Sequence, residues 1–336
     1  MIPRSLVPQQ PPRWQTLLAS AISDPHELLR LLGLPGDLLP NAIRASAQFR
    51  LRVPRGYLSR IRKGDPDDPL LRQVLPLGQE LDTVPGYSRD PLAEADAMPA
   101  PGVLHKYQGR VLLTLTGACA VHCRYCFRRH YPYGDANPVA EHWSQTYQYL
   151  QSRRDVDEVI LSGGDPLNLS DTRLAALVDA LDSVPHLQRL RIHSRIPVVL
   201  PERVDADLLD WLRATRLGVV LVIHCNHPNE LDSSVGQAMR QLRDAGVILL
   251  NQSVLLRGVN DSPDILVHLS RKLFDVGVLP YYLHQLDAVQ GAAHFAVDDA
   301  EARHFDAIMR CRLPGYLVPK LVRELPGELS KIQLSI

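Results

Sequence analysis

VLLTLTGACAVHCRYCFRR, residues 111–129, is the stretch from which the rest of this chain is read: an apolar run, Val111–Thr116, opens directly into a loop holding Cys119, Cys123 and Cys126. The run reads as a buried strand, and the loop places three soft ligands within eight residues, separated by three residues and then two. That spacing lets one loop wrap an iron–sulfur cubane and give a thiolate to each of three irons, leaving the fourth open to something that is not protein. Structural zinc is the competing reading. It wants four ligands, however, and the nearby His122 and His130 sit inside the same tight loop.

Beyond residue 101 the same kind of apolar run recurs between amphipathic stretches. Strands are expected at 111–116, 158–161, 190–193, 219–224, 247–253 and 278–283, and helices at 142–152, 171–183, 206–213, 233–245 and 263–276. Six such units predict a parallel sheet covered by helices, either doubly wound or curved into a barrel. The polar motifs SGGDP (162–166), HSR (193–195), HCNHPNE (224–230), NQS (251–253) and HQLD (284–287) all fall at the carboxyl ends of the expected strands, as does the cysteine loop. One active mouth on a partial TIM-type (β/α)6 barrel is therefore the expected α/β fold class. We divide the chain into a helical and extended lobe at 1–100, the barrel at 101–290 and a short cofactor-binding segment at 291–336. Within the lobe, residues 1–12 read as a loose arm, Trp14 to Leu32 as two short helices with a start signal at Asp24 and Pro25, and 77–100 as an extended wrap.

The 37 basic residues balance the 37 acidic ones, so no global field draws the chain to nucleic acid or to an anionic membrane. No apolar stretch approaches the ~20 residues that span a bilayer, and the first residues lack the apolar centre of a secretion signal. Five cysteines, two of them isolated at Cys225 and Cys311, form no disulfide pattern. A reducing, cytoplasmic setting is expected, which is also what a cluster needs. Of the 37 basic residues only Lys63, Lys106, Lys272, Lys320 and Lys331 are lysines, so an amine with chemistry to do comes from a short list.

Two further constellations stand out. In Ser162–Gly163–Gly164–Asp165–Pro166 the glycines permit close backbone approach, and Asp165 reads as ordering the turn rather than as accepting a proton. Lys331 follows a Pro-Gly turn in the tail, near Glu324 and Glu328. By composition alone such a lysine faces solvent. The alternative is a Schiff base to pyridoxal 5′-phosphate.

The cysteine spacing resembles that of the radical S-adenosylmethionine (SAM) superfamily, whose open iron is chelated by SAM. From about residue 101 the chain is similar to the lysine 2,3-aminomutases of that superfamily, on the stretches 105–129, LSGGDPL (161–167), SRIPVVLPERV (194–204), HCNHPNE, NQSVLLRGVND (251–261), PYYLHQLD (280–287) and PGELSK (326–331). The resemblance implies a curved barrel, a [4Fe–4S] cluster on Cys119, Cys123 and Cys126, SAM, and pyridoxal phosphate on Lys331. It also implies that Asp287 and Glu324 receive the side-chain ammonium of the substrate, with Arg110 supporting them, and that Arg128 receives its α-carboxylate. Lys106, Tyr107 and Arg195 occupy positions near the pyridoxal cofactor. Ser162, Gly163, Gly164 and Asp165 match the segment that meets the amino group of SAM, and His224, Asn251 and Gln252 look like SAM-side positions. Glu324 stands where the family has aspartate, and His284 where it has tyrosine.

The amino-terminal stretches WQTLLASAISDPHELLRLLGL (14–34), FRLRVPRGYLSRI (49–61) and GDPDDPLLRQVLP (64–76) resemble the short bacterial branch of the family, which makes (R)-β-lysine for modification of translation elongation factor P. What this implies is an isomerase acting on free L-lysine: a radical generated from SAM takes hydrogen from C3, and nitrogen migrates from C2 to C3. A one-electron reductant protein would feed the cluster, and a separate elongation factor P ligase would take the product; a homo-oligomer is left open. The alternative is a free-standing metabolic 2,3-aminomutase for lysine or another amino acid.

Overall fold

The computed structural model describes residues 13–133 and 143–334, so the loose arm expected at 1–12 lies outside the described residues. Nine strands form one sheet in chain order: β1 (Val103–Tyr107), β2 (Arg110–Thr114), β3 (Glu158–Ser162), β4 (Arg189–Ser194), β5 (Gly218–His224), β6 (Ile248–Val254), β7 (Leu279–His284), β8 (Lys320–Arg323) and β9 (Ile332–Gln333). Pairing from β2 through β8 is parallel throughout, and β1 and β9 add antiparallel edges. Strands that neighbour one another in strict chain order need crossovers of one hand, which put the helices on one side and curl the sheet around its other face. The result is an open, partial barrel.

The six expected strands and their helices are present within one or two residues at each end. Among the helices, α1 (Arg13–Ala19), α2 (Pro25–Leu32) and α3 (Leu39–Gln48) belong to the amino-terminal lobe. The helices α4 (Trp143–Ser152), α5 (Asp171–Asp182), α6 (Ala206–Ala214), α7 (Ser233–Asp244) and α8 (Pro263–Asp275) follow β2 to β6. Asp24 caps α2 by accepting from the His26 N–H, as the Asp-Pro signal predicts. The carboxyl-terminal segment holds more than a cofactor arm. It contains α9 (Asp299–Arg312) and then β8, a seventh parallel strand, whose contribution of only four residues between Pro319 and Glu324 gave no readable periodicity. Because His284 pairs with Val322, the chain ends leaving β7 and β8 bring Asp287 and Glu324 to adjacent positions at the barrel mouth.

No helix among the described residues is long and apolar enough to cross a membrane. The main core runs from the lobe into the barrel without a break: Trp14, Leu28, Leu70 and Leu71 pack in the same cluster as Val111, Leu161 and Ile223.

The lobe also grips the cysteine loop through polar groups. Arg124, between two of the cysteines, is fully buried, and its Nε and Nη2 donate to Glu80 at 2.8 and 2.5 Å. Its Nη1 donates to the Phe49 carbonyl at 2.8 Å, while the Arg124 and His122 amides donate to the carbonyls of Gln73 and Arg52. Arg129 reaches the same Glu80 carboxylate at 2.8 Å. Neither histidine of the loop region faces the thiols: His122 Nδ1 lies 2.8 Å from the Arg50 carbonyl and His130 Nε2 3.3 Å from that of Gln290.

Removing Glu80 would leave two guanidinium groups buried without their counter-charge. Glu80→Ala is expected to lose ~3–5 kcal/mol of folding stability in urea titrations of the metal-free protein. Thiol labelling of Cys123 should accelerate as the loop is released. A variant as stable as the parent, with unchanged labelling, would refute the clamp.

Candidate active site

A cavity of ≈ 510 Å³ opens at the carboxyl ends of the parallel strands. Its floor is the inner face of the sheet, because side chains two apart on each strand point the same way. Ile160, Arg191, His193, His224, Gln252, Tyr282 and His284 are those inward positions. Cys119, Cys123 and Cys126 line one end, and Lys331, Glu324 and Asp287 line the other.

At the cysteine end, burial pushes the Cys119 thiol up, and the neighbouring Cys126 pushes it further; Cys126 rises to about 11 for the same reasons, with Cys123 as its neighbour. Cys119 and Cys126 are therefore stable as thiols and become thiolates when a metal takes the protons' place. The loop is held against β3 by the glycine pair. Gly164 N donates to the Thr116 carbonyl at 2.5 Å, and Asp165 N donates to that of Ala118 at 2.9 Å. Gly163 sits at φ +122°, and a side chain at either position would strike the loop backbone: a Cβ on Gly163 meets Thr116 O at 2.7 Å, and one on Gly164 meets Ala118 O at 2.5 Å. The glycines thus serve contact between two protein segments as well as access for a ligand.

Asp165 does order the turn. Its carboxylate accepts from Ser194 Oγ (2.7 Å) and from the amides of Leu167, Arg195 and Ile196 (3.1, 2.8 and 3.2 Å), while burial raises it to about 6. Arg195 departs from expectation. It lies at the cysteine end rather than beside Lys331, with Nη1 2.7 Å from both Cys123 Sγ and Tyr125 Oη, and Nη2 on Gln73 (2.6 Å) and Glu230 (2.9 Å). Asn251 is a second correction. Its side chain exchanges hydrogen bonds with the Cys225 backbone (2.9 and 3.1 Å) and with Ser253 Oγ (2.9 Å), clamping β5 to β6 without lining the cavity. The other two SAM-side candidates do line it, His224 Nε2 lying 2.7 Å from Gln252 Nε2. Burial, then Arg195 and Arg128, lower His224 to about 3, so it is neutral.

At the far end the charged side chains form a chain. Arg128 grips Glu94 with Nε and Nη2 at 2.7 and 2.8 Å, Lys106 stands 3.6 Å from Glu94 and 3.1 Å from Glu324, and Lys331 pairs with Glu324. Lys331 and Lys106 hold Glu324 down at about 2 despite its burial. The Asp287 carboxylate makes no hydrogen bond or ion pair among the described residues, although its backbone carbonyl accepts from Val289 N. Burial, followed by the charge of Glu324, lifts it to about 7. Tyr107 shares Glu324, and Arg110 stacks on the Tyr107 ring at 4.6 Å rather than pairing with either acid, which corrects the supporting role expected for it.

Two imidazole nitrogens in the cavity wall, His284 Nε2 and His193 Nε2, are buried without a hydrogen-bond partner. Such orphans, beside an amine at Lys331 and the Tyr282 ring 5.9 Å from it, fit a polar aromatic ligand such as the pyridoxal ring. Three thiols at the opposite end fit a cluster with an open iron. Sequence reasoning missed Glu94, His193 and Tyr282. Glu94 sits in an irregular acidic stretch where nothing separates a buried carboxylate from a solvated one.

Residues 113–269 match the radical SAM superfamily. The L-lysine 2,3-aminomutase of Escherichia coli (strain K12) is 50% identical over 324 residues, spanning 96% of this chain and 94% of that protein. That of Haemophilus influenzae is 48% identical over 331 residues, 98% of each chain. The L-lysine 2,3-aminomutase of Clostridium subterminale is 36% identical over 316 residues, 94% of this chain and 75% of its own.

A methyl group on Gly164 has only backbone to displace. Gly164→Ala is expected to destabilise the fold by ~1–3 kcal/mol, the usual range for overpacking, and to shift the cysteine loop. Urea titration and iron content after anaerobic reconstitution measure the two effects. Wild-type values of both would show that the contact has slack.

Proposed function

The chain belongs to the L-lysine 2,3-aminomutase family of radical SAM enzymes, and from that premise we propose that it converts (S)-α-lysine to (R)-β-lysine. We read the product as the group that a separate ligase attaches to elongation factor P, and the setting as the cytoplasm, with a one-electron reductant protein as donor. The observation that carries the activity is that the three thiols and the Lys331–Glu324 pair face each other across one cavity of ≈ 510 Å³.

Cys119, Cys123 and Cys126 would hold a [4Fe–4S] cluster, and Ser162 to Asp165, with His224 and Gln252, would flank SAM. Lys331 would hold pyridoxal phosphate, with Tyr107, Lys106 and His284 around it. When bound, the cluster and SAM supply a carbon-centred radical, and the pyridoxal ring supplies a sink for the unpaired electron while nitrogen moves between carbons. The side chains do the rest. Asp287 and Glu324 place negative charge where the ε-ammonium lies, since burying that cation unpaired would be costly. Arg128, separated from Glu324 by Glu94 and Lys106 along the series of charges, presents a planar fork suited to the α-carboxylate. Opposed charges therefore measure the length of lysine, and they disfavour an acidic side chain. The buried, neutral histidines and the apolar walls limit water near the reacting carbons. In this division the lobe at 1–100 would contribute Phe49, Leu92 and Glu94 to the cavity wall, the barrel at 101–290 would carry the radical machinery and the segment at 291–336 would bring Lys331.

Anaerobic incubation of the reconstituted protein with lysine, SAM, pyridoxal phosphate and dithionite, followed by chiral analysis, tests this. The expected product is (R)-β-lysine. Lys331→Ala should keep its iron yet lose borohydride-trappable pyridoxal. No conversion of lysine, or equal conversion of glutamate, would sink the reading. A predominantly (S) product would remove the link to elongation factor P.

Asp287 generates a pH dependence of known sign. The groups facing it are Glu324, Lys331, Glu94 and Lys106. With its carboxyl at about 7, the group is mostly protonated below that pH and becomes able to pair with an ammonium above it. Lysine affinity should therefore rise from about pH 6 to about pH 8, and Asp287→Asn should be weaker and flat over the same interval. Calorimetric titration at several pH values reads this directly. An unchanged slope in the variant would assign the effect elsewhere.

A further inference from the structure

The wrap between the lobe and the barrel is aimed at the cavity with some effort. Ser88 is stitched to the loop after β7, its amide donating to the Ala288 carbonyl (2.9 Å) and its carbonyl accepting from Gln290 (2.8 Å), on either side of Val289 and directly after Asp287. Leu92 then packs into the cavity wall, and Ala93 turns at φ +46°, the one positive-φ residue other than glycine among the described residues. Such a conformation costs of order 1 kcal/mol in a residue with a Cβ and persists only where surrounding contacts impose it. What the turn delivers is the carboxylate of the next residue, Glu94, which is 4% exposed and faces Arg128.

We propose that Glu94 is a positioning residue for the aminomutase reaction: it clamps one edge of the Arg128 guanidinium so that the other edge, backed by Lys106, receives the α-carboxylate of the substrate. The proposal rests on the assignment of Arg128 made above. Glu94 takes the edge formed by Nε and Nη2, and Nη1 donates to Ser162 Oγ at 3.0 Å and to the Gly163 carbonyl at 3.5 Å. The rings of Phe127 and Tyr131 lie 5.0 and 5.6 Å from the guanidinium carbon and restrict its swing. On the edge between Nη1 and Nη2, Nη2 donates only to Glu94 among the described residues, and a second carboxylate there would displace only the long 3.5 Å contact of Nη1 with Gly163.

Charge makes the second carboxylate welcome. Beside the fork, Arg128 and Lys106 are two cations that flank the single carboxylate Glu94, so a second carboxylate there meets positive charge. Without Glu94 the fork would keep its charge but lose the two bonds that set its plane, and Lys106 would lose one of its two carboxylates, keeping Glu324 and the Leu92 carbonyl.

The test compares lysine with 1,5-diaminopentane, which has both amines but no carboxylate, in the reconstituted enzyme. In Glu94→Gln the KM and the dissociation constant for lysine should rise by about tenfold or more, while the affinity for the diamine stays within about twofold and the cluster content is unchanged. Glu94→Asp keeps the charge on a shorter arm and should fall between; it also decides the matter by the same ratio if Glu94→Gln does not fold. Parallel loss of lysine and diamine binding would reduce Glu94 to a structural role and overturn the proposal. So would unchanged lysine affinity, and so would tighter lysine binding, which would make Glu94 a competitor for Arg128. If Arg128→Gln weakens lysine no more than the diamine, the assignment of Arg128 fails, and that result is distinct from a Glu94 variant failing alone.

Discussion

Two arginines of the cysteine loop share one buried carboxylate, and the layout of the barrel mouth follows from that sharing. Glu80 alone does not neutralise Arg124 and Arg129. The Nη1 groups of the two arginines donate to the carbonyl oxygens of Phe49, Arg124 and Gly291, Arg129 Nε is buried without a partner, and the Phe49 ring lies 4.8 and 4.7 Å from the two guanidinium carbons. Taking such charges out of water costs several kcal/mol each, so the cluster is weak evidence for stability. What it provides is uniqueness, because few other arrangements of these segments bring one carboxylate and three carbonyls to two buried guanidinium groups. The cysteine loop is thereby placed by the lobe behind it and by Gly163 and Gly164 in front.

The far side of the cavity is governed by alternation of charge. Arg128, Glu94, Lys106, Glu324 and Lys331 form a continuous series in which each carboxylate touches a cation on both sides. Asp287 is the exception. It is near enough to Glu324 to be raised by it, yet it has no cation of its own among the described residues. A pocket that leaves one acid unpaired at one side and one guanidinium edge open at the other has the polarity of a zwitterion carrying an extra cation. Both features rest on desolvation: in water these charges would be screened and would discriminate little.

Some assignments from the sequence depended on a side chain's neighbours and not on its own motif. The family resemblance puts Arg195 with the pyridoxal end, yet its long side chain reaches back to Cys123 and Glu230. Asn251 follows the alternation of β6, and that alternation turns it toward the β5 backbone while Gln252 faces the cavity. Arg110 has a carboxylate pair within its region but an aromatic face closer. In each case the residue type permits several partners, and only distance selects among them.

What the sequence determined by itself were the features written in local spacing. The cysteine loop, the glycine pair, the six strand-and-helix units and the tail lysine each depend on residues close together in the chain, so their periodicity or gap lengths are visible without a fold. Tertiary structure decided the pairings that close long loops. Glu94 meets Arg128 across 34 residues and Lys106 meets Glu324 across 218, and neither pair has a signature in its own segment. β8, four residues long, became a strand because β7 offered it a parallel edge. Burial is the physical reason for the division: a buried charge must find a partner wherever the fold brings one, and the chain's local pattern carries no record of which partner that will be.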